Sequence, residues 1–166
     1  MTDTPIIYPN LGMSYGNWTG AGYSAGGESP SFVPYLPQQA EFAVLDTFDE
    51  ASKRHDLDYD FAQQTLLNDL IAGRPRVDAL ADYYAAMSAA DRDFATSASA
   101  VTADHAWGEG IRGVGITVMT VKADMQDAIW ERLQVDQGYR ASIGEIGGEI
   151  GVRKSGSESN FNLSSA

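Results

Sequence analysis

Asp49-Glu-Ala-Ser-Lys-Arg-His-Asp-Leu-Asp-Tyr59 reads as part of an amphipathic helix, and the placement of its reactive side chains follows from that periodicity. From about Glu41 to Ala72, residues Phe48, Ala51, His55, Tyr59, Ala62, Leu66 and Leu70 recur at helical spacing. Successive helical residues turn by about 100°, so His55 and Asp56 occupy adjoining sectors and Tyr59 returns to the His55 face one turn later. One helix can therefore aim an imidazole at a water and a carboxylate at a metal beside it. Taken alone, a His-Asp pair on a helix is most often a solvated or capped histidine, so the neighbouring segments decide its meaning.

Upstream lies Tyr15-Gly-Asn-Trp-Thr-Gly-Ala-Gly22, with three glycines in eight residues. Glycine reaches backbone angles other residues avoid, so such a loop can turn several carbonyl oxygens toward one point. Calcium takes six to eight oxygen ligands, main-chain carbonyls among them, and Asp56 would add the negative charge that carbonyls lack. The plain alternative is a Gly/Ser/Tyr-rich surface loop. Downstream, Val77 to Val101 is alanine-rich and reads as a second helix, starting near Arg76, burying Leu80, Tyr83, Tyr84 and Met87, and continuing to about Ala100. Gly73-Arg-Pro-Arg76 ends the first helix and permits a tight reversal, which predicts antiparallel neighbours. Packed in that way, Asp91 would meet the far nitrogen of His55, fix its tautomer and stabilise the imidazolium. Asp82 and Asp93 lie on the same helix and compete for that assignment.

These three segments, in this order, resemble the phospholipase A2 superfamily over roughly residues 15 to 95. Tyr15 to Gly22 is similar to that family's calcium loop. Asp49 to Tyr59 is similar to its catalytic helix, with His-Asp-x-x-Tyr and an aspartate six residues before the histidine, and Asp91-Arg92 is similar to the Asp-Arg of its second long helix. The chain has no cysteine: Thr19 stands at the loop position, and Ala51 and Ser52 at the helix positions, where disulfide-rich members carry it. In this it is nearer to the cysteine-free phospholipase domains of parvovirus minor capsid proteins. The connector from Gly22 to Asp49, rich in Pro, Gly, Tyr and Phe, is long for the family.

The resemblance implies calcium-dependent hydrolysis of the sn-2 ester of a glycerophospholipid. His55 would be the base, Asp91 its partner, Tyr59 a support for Asp91, and the Gly20 amide a donor to the oxyanion. Asp56 and the carbonyls of Trp18, Gly20 and Gly22 would hold Ca2+. The fold it implies is mainly α, with an antiparallel pair of long helices carrying the catalytic dyad behind a glycine-rich calcium loop. The rival readings are a non-catalytic structural or assembly protein of a virus or phage particle that retains the helix pair, and a helical adaptor whose acidic surface binds a basic partner.

The rest of the chain sets boundaries. Prolines at 5, 9, 30, 34 and 37 exclude long helices before residue 40. Trp18, Tyr23, Phe32, Val33, Tyr35 and Leu36 precede the catalytic helix and would suit either a lipid headgroup region or a core cover. A third helix is expected over about Ile111 to Ala141, with Ile111, Val114, Val118, Val121, Met125, Ile129 and Leu133 forming a core or oligomer stripe rather than a lipid-inserting one, since Lys122, Asp124, Asp127 and Glu131 supply a solvated side. Its start, Gly108 to Gly115, reads as a possible loop, and Ile116 to Val121 leaves a strand open. Residues 1 to 141 form the expected domain and 142 to 166 a flexible Gly/Ser-rich tail or attachment segment. His105 beside Asp104 reads as an ordinary surface histidine after Thr102.

A net charge of -12 argues against nucleic-acid binding and against adsorption to anionic lipid, leaving peripheral contact with a phospholipid interface as hydrophobic and calcium-assisted. No signal-peptide pattern opens the sequence and no stretch is long enough to span a bilayer, so a cytoplasmic, virion-associated or non-classically exported protein is expected.

Overall fold

The structure, a computed structural model, describes residues 14–20, 23–24, 27–28 and 43–151. The aromatic run Phe32 to Leu36, Gly22, and residues 152–166 lie outside them. Four helices dominate: α1 (Thr47–Ile71), α2 (Arg76–Ser99), α3 (Ala106–Val135) and α4 (Gln137–Gly151). Before them come two minimal antiparallel ladders, β1 (Ser14–Tyr15) with β2 (Thr19–Gly20) and β3 (Tyr23–Ser24) with β4 (Gly27–Glu28). The class is mainly α. Among the described residues no helix is long and apolar enough to cross a membrane.

α1 starts later than the apolar pattern suggests, because Asp46 caps it. The Asp46 carboxylate accepts from the amides of Phe48 and Asp49, both at 2.9 Å, and so satisfies two of the donors a helix start leaves open. At its other end Gly73 takes φ 79°, and the amides of Gly73 and Arg74 bond back to the carbonyls of Leu70 and Asp69. That pairing closes the helix in the left-handed manner glycine favours. Arg74 then bridges Asp69 of α1 to Asp82 of α2. α2 folds back along α1, and His55 and Asp91, nearly equidistant from the turn, come level.

α3 differs from expectation at both ends. Gly108 and its neighbours are helical, and a side chain at Gly108 would lie 2.5 Å from the Tyr15 ring and 2.7 Å from the Ala103 methyl. Gly108, which weakens local helix propensity, thus lets α3 approach β1 closely, whereas Gly110 and Gly113 face open space. Residues 116 to 121 are helix as well; their alternating Thr and Val yield to the surrounding helix, with Thr117 and Thr120 returning hydrogen bonds to the preceding turn.

The single helix expected to Ala141 breaks at Asp136. That residue is extended, and its carboxylate accepts from the Tyr139 amide at 2.9 Å, starting α4. The boundary expected between residues 141 and 142 falls inside α4, so at least the first ten residues of the expected tail are helical. Ile143 and Tyr139 pack on a cluster of Val77, Ala81 and Leu133, and Arg140 reaches the Leu133 carbonyl and Asp78, which gives this segment a tertiary reason to be ordered.

The main core joins Tyr15, Phe48, Ala51, Phe94, Ala98 and Ala103, with Ile111, Ile116 and Met119 of α3 against it. The expected α3 stripe therefore divides. Leu133 is buried, whereas Val114, Val118, Val121 and Met125 are half or more exposed.

Candidate active site

His55 sits on the buried face of α1, braced between aromatic rings. Its ring centroid lies 4.3 Å from that of Tyr59 and 5.3 Å, edge-on, from that of Phe94. Its Nε2 is 2.8 Å from Oδ1 of Asp91, which is fully buried. A carboxylate can only accept there, so Nε2 carries a proton and donates it. Of the three aspartates open to this role, Asp82 pairs with Arg74 near the α1–α2 turn and Asp93 is exposed, and it is Asp91 that meets the imidazole. The Tyr59 hydroxyl donates to the same oxygen at 2.6 Å. Burial, reinforced by the Asp91 carboxylate, pushes that phenol far above its usual range and keeps it a donor.

The other imidazole nitrogen is turned toward Asp56. His55 Nδ1 is 3.3 Å from Oδ1 of Asp56, whose side chain is 22% exposed. Burial disfavours the imidazolium, but the hydrogen bonds and charges of Asp56 and Asp91 outweigh it and raise the affinity for a second proton above that of an ordinary histidine.

The glycine-rich loop is anchored to the same helix by Asp49. This carboxylate is fully buried and accepts from the amides of Asn17 at 3.0 Å, Trp18 at 2.9 Å and Leu45 at 2.9 Å, and from the Thr19 hydroxyl at 3.3 Å. Thr19 Oγ1 also lies 2.6 Å from Ser52 Oγ, and the Lys53 ammonium lies 5.2 Å from the centre of the Trp18 ring. Asp49, Ser52, Lys53 and Asp56 form one stripe along α1. The loop thus covers the two turns that lead up to Asp56. Because the amides of Asn17 and Trp18 point into Asp49, the carbonyls of the same planar peptide units, those of Gly16 and Asn17, point away from it.

The four positions expected to supply a cation's ligands are less evenly placed. Asp56 stands beside His55. Trp18 has a buried ring and an amide committed to Asp49, and Gly20 pairs with Ser14 across the β1–β2 ladder; Gly22 lies outside the described residues. Among the described residues no three His, Asp or Glu side chains gather around a point. Of the four positions Asp56 alone would offer a carboxylate, and the other three would offer main-chain carbonyls, both ligand types that calcium accepts.

Several participants are not apparent from sequence. Asp49 is visible there as a spacing and not as the anchor of the loop. Asp46, which besides capping α1 accepts from the Tyr15 hydroxyl at 2.5 Å and the Asp104 amide at 2.9 Å, carries a signal in its position before an apolar helical run. Lys122 and Gln126 of α3 reach the Tyr59–Asp91 pair, and nothing local announces it. His105 is exposed and apart from the site. The chain matches no protein-family model, no curated protein and no solved structure.

Proposed function

We propose that this protein is a calcium-dependent esterase acting on the sn-2 ester of glycerophospholipids. The observation that carries the reading is the buried Tyr59–Asp91–His55 chain, whose remaining Nδ1 lies against a partly exposed Asp56, on a helix to which the loop is tied. A fixed imidazole with one nitrogen committed to a buried carboxylate is the arrangement of a general base.

Asp56 and the carbonyls of Trp18, Gly20 and Gly22 would hold the ion, which when bound neutralises substrate phosphate and polarises the ester carbonyl. His55 Nδ1 takes a proton from the attacking water. Nε2 keeps its proton on Asp91, whose negative charge stabilises the imidazolium as it forms. Tyr59 restrains Asp91, and Phe94 and Tyr59 keep the ring from rotating. The Gly20 amide is the donor suited to the developing oxyanion. The proton held by His55 then passes to the departing glycerol oxygen, giving a lysophospholipid and a fatty acid without a covalent enzyme intermediate.

The test is fatty-acid release from phosphatidylcholine vesicles with calcium and with chelator. His55→Ala should lower kcat by about a thousandfold, within the range for removal of a positioned base, and Asp56→Asn should abolish the calcium response. Release that persists in chelator or in both variants rejects the mechanism. A non-catalytic assembly role is the second reading, favoured by α4 extending the helical body past residue 141; it predicts a folded protein with no ester hydrolysis and no calcium effect.

A further inference from the structure

Asp91 carries more on one oxygen than on the other. Oδ1 accepts from His55 and Tyr59, while Oδ2, equally buried, accepts no hydrogen bond. A buried carboxylate so served needs a countercharge, because hydrogen bonds from neutral groups offset only part of the cost of taking an anion out of water.

α3 supplies a charge, on the side of the oxygen already served. The Lys122 ammonium lies 3.9 Å from Asp91 Oδ1 and 4.3 Å from the centre of the Tyr59 ring, and it is the Lys or Arg within ion-pair range of Asp91 among the described residues. One turn further on, Gln126 is buried and donates from Nε2 to the Tyr59 hydroxyl at 3.2 Å, leaving the tyrosine proton for Asp91. Two side chains four residues apart on one helix therefore converge on the pair behind the imidazole. The other cation on α2 near this level, Arg92, is turned outward to Asp124 and Asp127.

We propose that Lys122 is a positioning residue, the countercharge to the buried Asp91 carboxylate, with Gln126 orienting Tyr59 in the same network. The proposal rests on the hydrolytic reading of His55 and adds α3 to a site that otherwise belongs to α1, α2 and the loop. Lys122 acts through Asp91.

The experiment is a double-mutant cycle read two ways. Lys122→Met keeps the stem over the Tyr59 ring and removes the charge; Lys122→Arg keeps the charge. Each is made in the wild-type background and in the Asp91→Asn background. Kinetics on calcium-loaded protein and phosphatidylcholine vesicles should show Lys122→Met lowering kcat about tenfold with KM within about twofold, and Lys122→Arg within about threefold of wild type. When Asp91→Asn is already present, adding Lys122→Met should change kcat less than about twofold. In parallel, melting of calcium-free protein should show Lys122→Met lowering Tm in the wild-type background and not in the Asp91→Asn background. Equal losses in both backgrounds, failure of arginine to restore kcat, or an effect confined to KM overturns the proposal. Should wild type release no fatty acid, the hydrolytic reading fails by itself, and the melting cycle still decides whether Lys122 and Asp91 are coupled.

Discussion

At Gly16 one hydrogen atom decides whether the loop reaches the helix. Its φ of 64° is left-handed, and a methyl there would fall on the Asp49 carboxylate that holds Asn17 and Trp18. Gly16→Ala should therefore cost about 2 kcal/mol or more in urea unfolding, combining left-handed strain with displacement of a buried acceptor, and should weaken calcium binding in calorimetry; an unchanged midpoint would mean the loop is not held this way. Asp49→Asn should cost more, about 3 kcal/mol, because an amide turns one of its ends into a donor facing donors. His55 yields a pH prediction with a definite sign. Its folded-state proton affinity is raised by Asp56 and Asp91 against the opposing effect of burial, so protonation stabilises the calcium-free fold. That contribution is complete below the unfolded value of about 6.5 and is lost as pH rises through the higher folded value. Tm of calcium-free protein should fall across that window, and His55→Gln should remove this part of the slope. Residue chemistry of this kind is partly legible in sequence. The helical interval fixes His55, Asp56 and Tyr59 relative to one another, but which oxygen of Asp91 they meet, and the donors gathered on Asp49, depend on chain segments some thirty residues apart.

Among the elements, α1 shows how local signals and distant contacts divide the work. Its C-terminus is readable, since Gly73 before a proline ends a helix by backbone chemistry alone. Its N-terminus lies several residues later than the start expected near Glu41, because the capping side chain is Asp46. That carboxylate ties together four donors from three segments: two helix amides, the Tyr15 hydroxyl and the Asp104 amide. Burial works to raise its proton affinity, but these donors win and hold the carboxyl below its usual range. Its stabilisation is present above the unfolded value of about 3.9 and is lost as pH falls through the lower folded one. Asp46→Ala should cost about 2 kcal/mol at neutral pH, the upper end for a helix cap, and the loss should shrink in acid. On α3 the apolar spacing is plain, yet periodicity cannot say which side meets the core. Leu133→Ala should cost about 3 kcal/mol as a buried truncation, whereas Met125→Ala, on the exposed side, should stay within about 0.5 kcal/mol. Similar losses from both would mean that Met125 is covered in solution.

For the whole molecule, helical class is written in composition and period, while assembly of the candidate site requires three helices and a loop to close on each other. The acidic excess bears on how tightly that closure holds. With a net charge of -12, the calcium-free fold carries repulsion that a divalent ion would relieve. An ion bound by the folded state and not by the unfolded one stabilises by RT ln(1 + [L]/Kd), about 2.7 kcal/mol at a hundredfold excess over Kd. For a chain of this size that corresponds to a rise in Tm of roughly 5 °C or more. Calcium should produce it in wild type, magnesium should produce less because it demands a tighter octahedral shell than a loop of carbonyls offers, and Asp56→Ala should abolish the calcium response while retaining the helical signal in circular dichroism. A rise of equal size with magnesium, or in Asp56→Ala, would trace the effect to general screening of an acidic surface and would leave His55 without its ion.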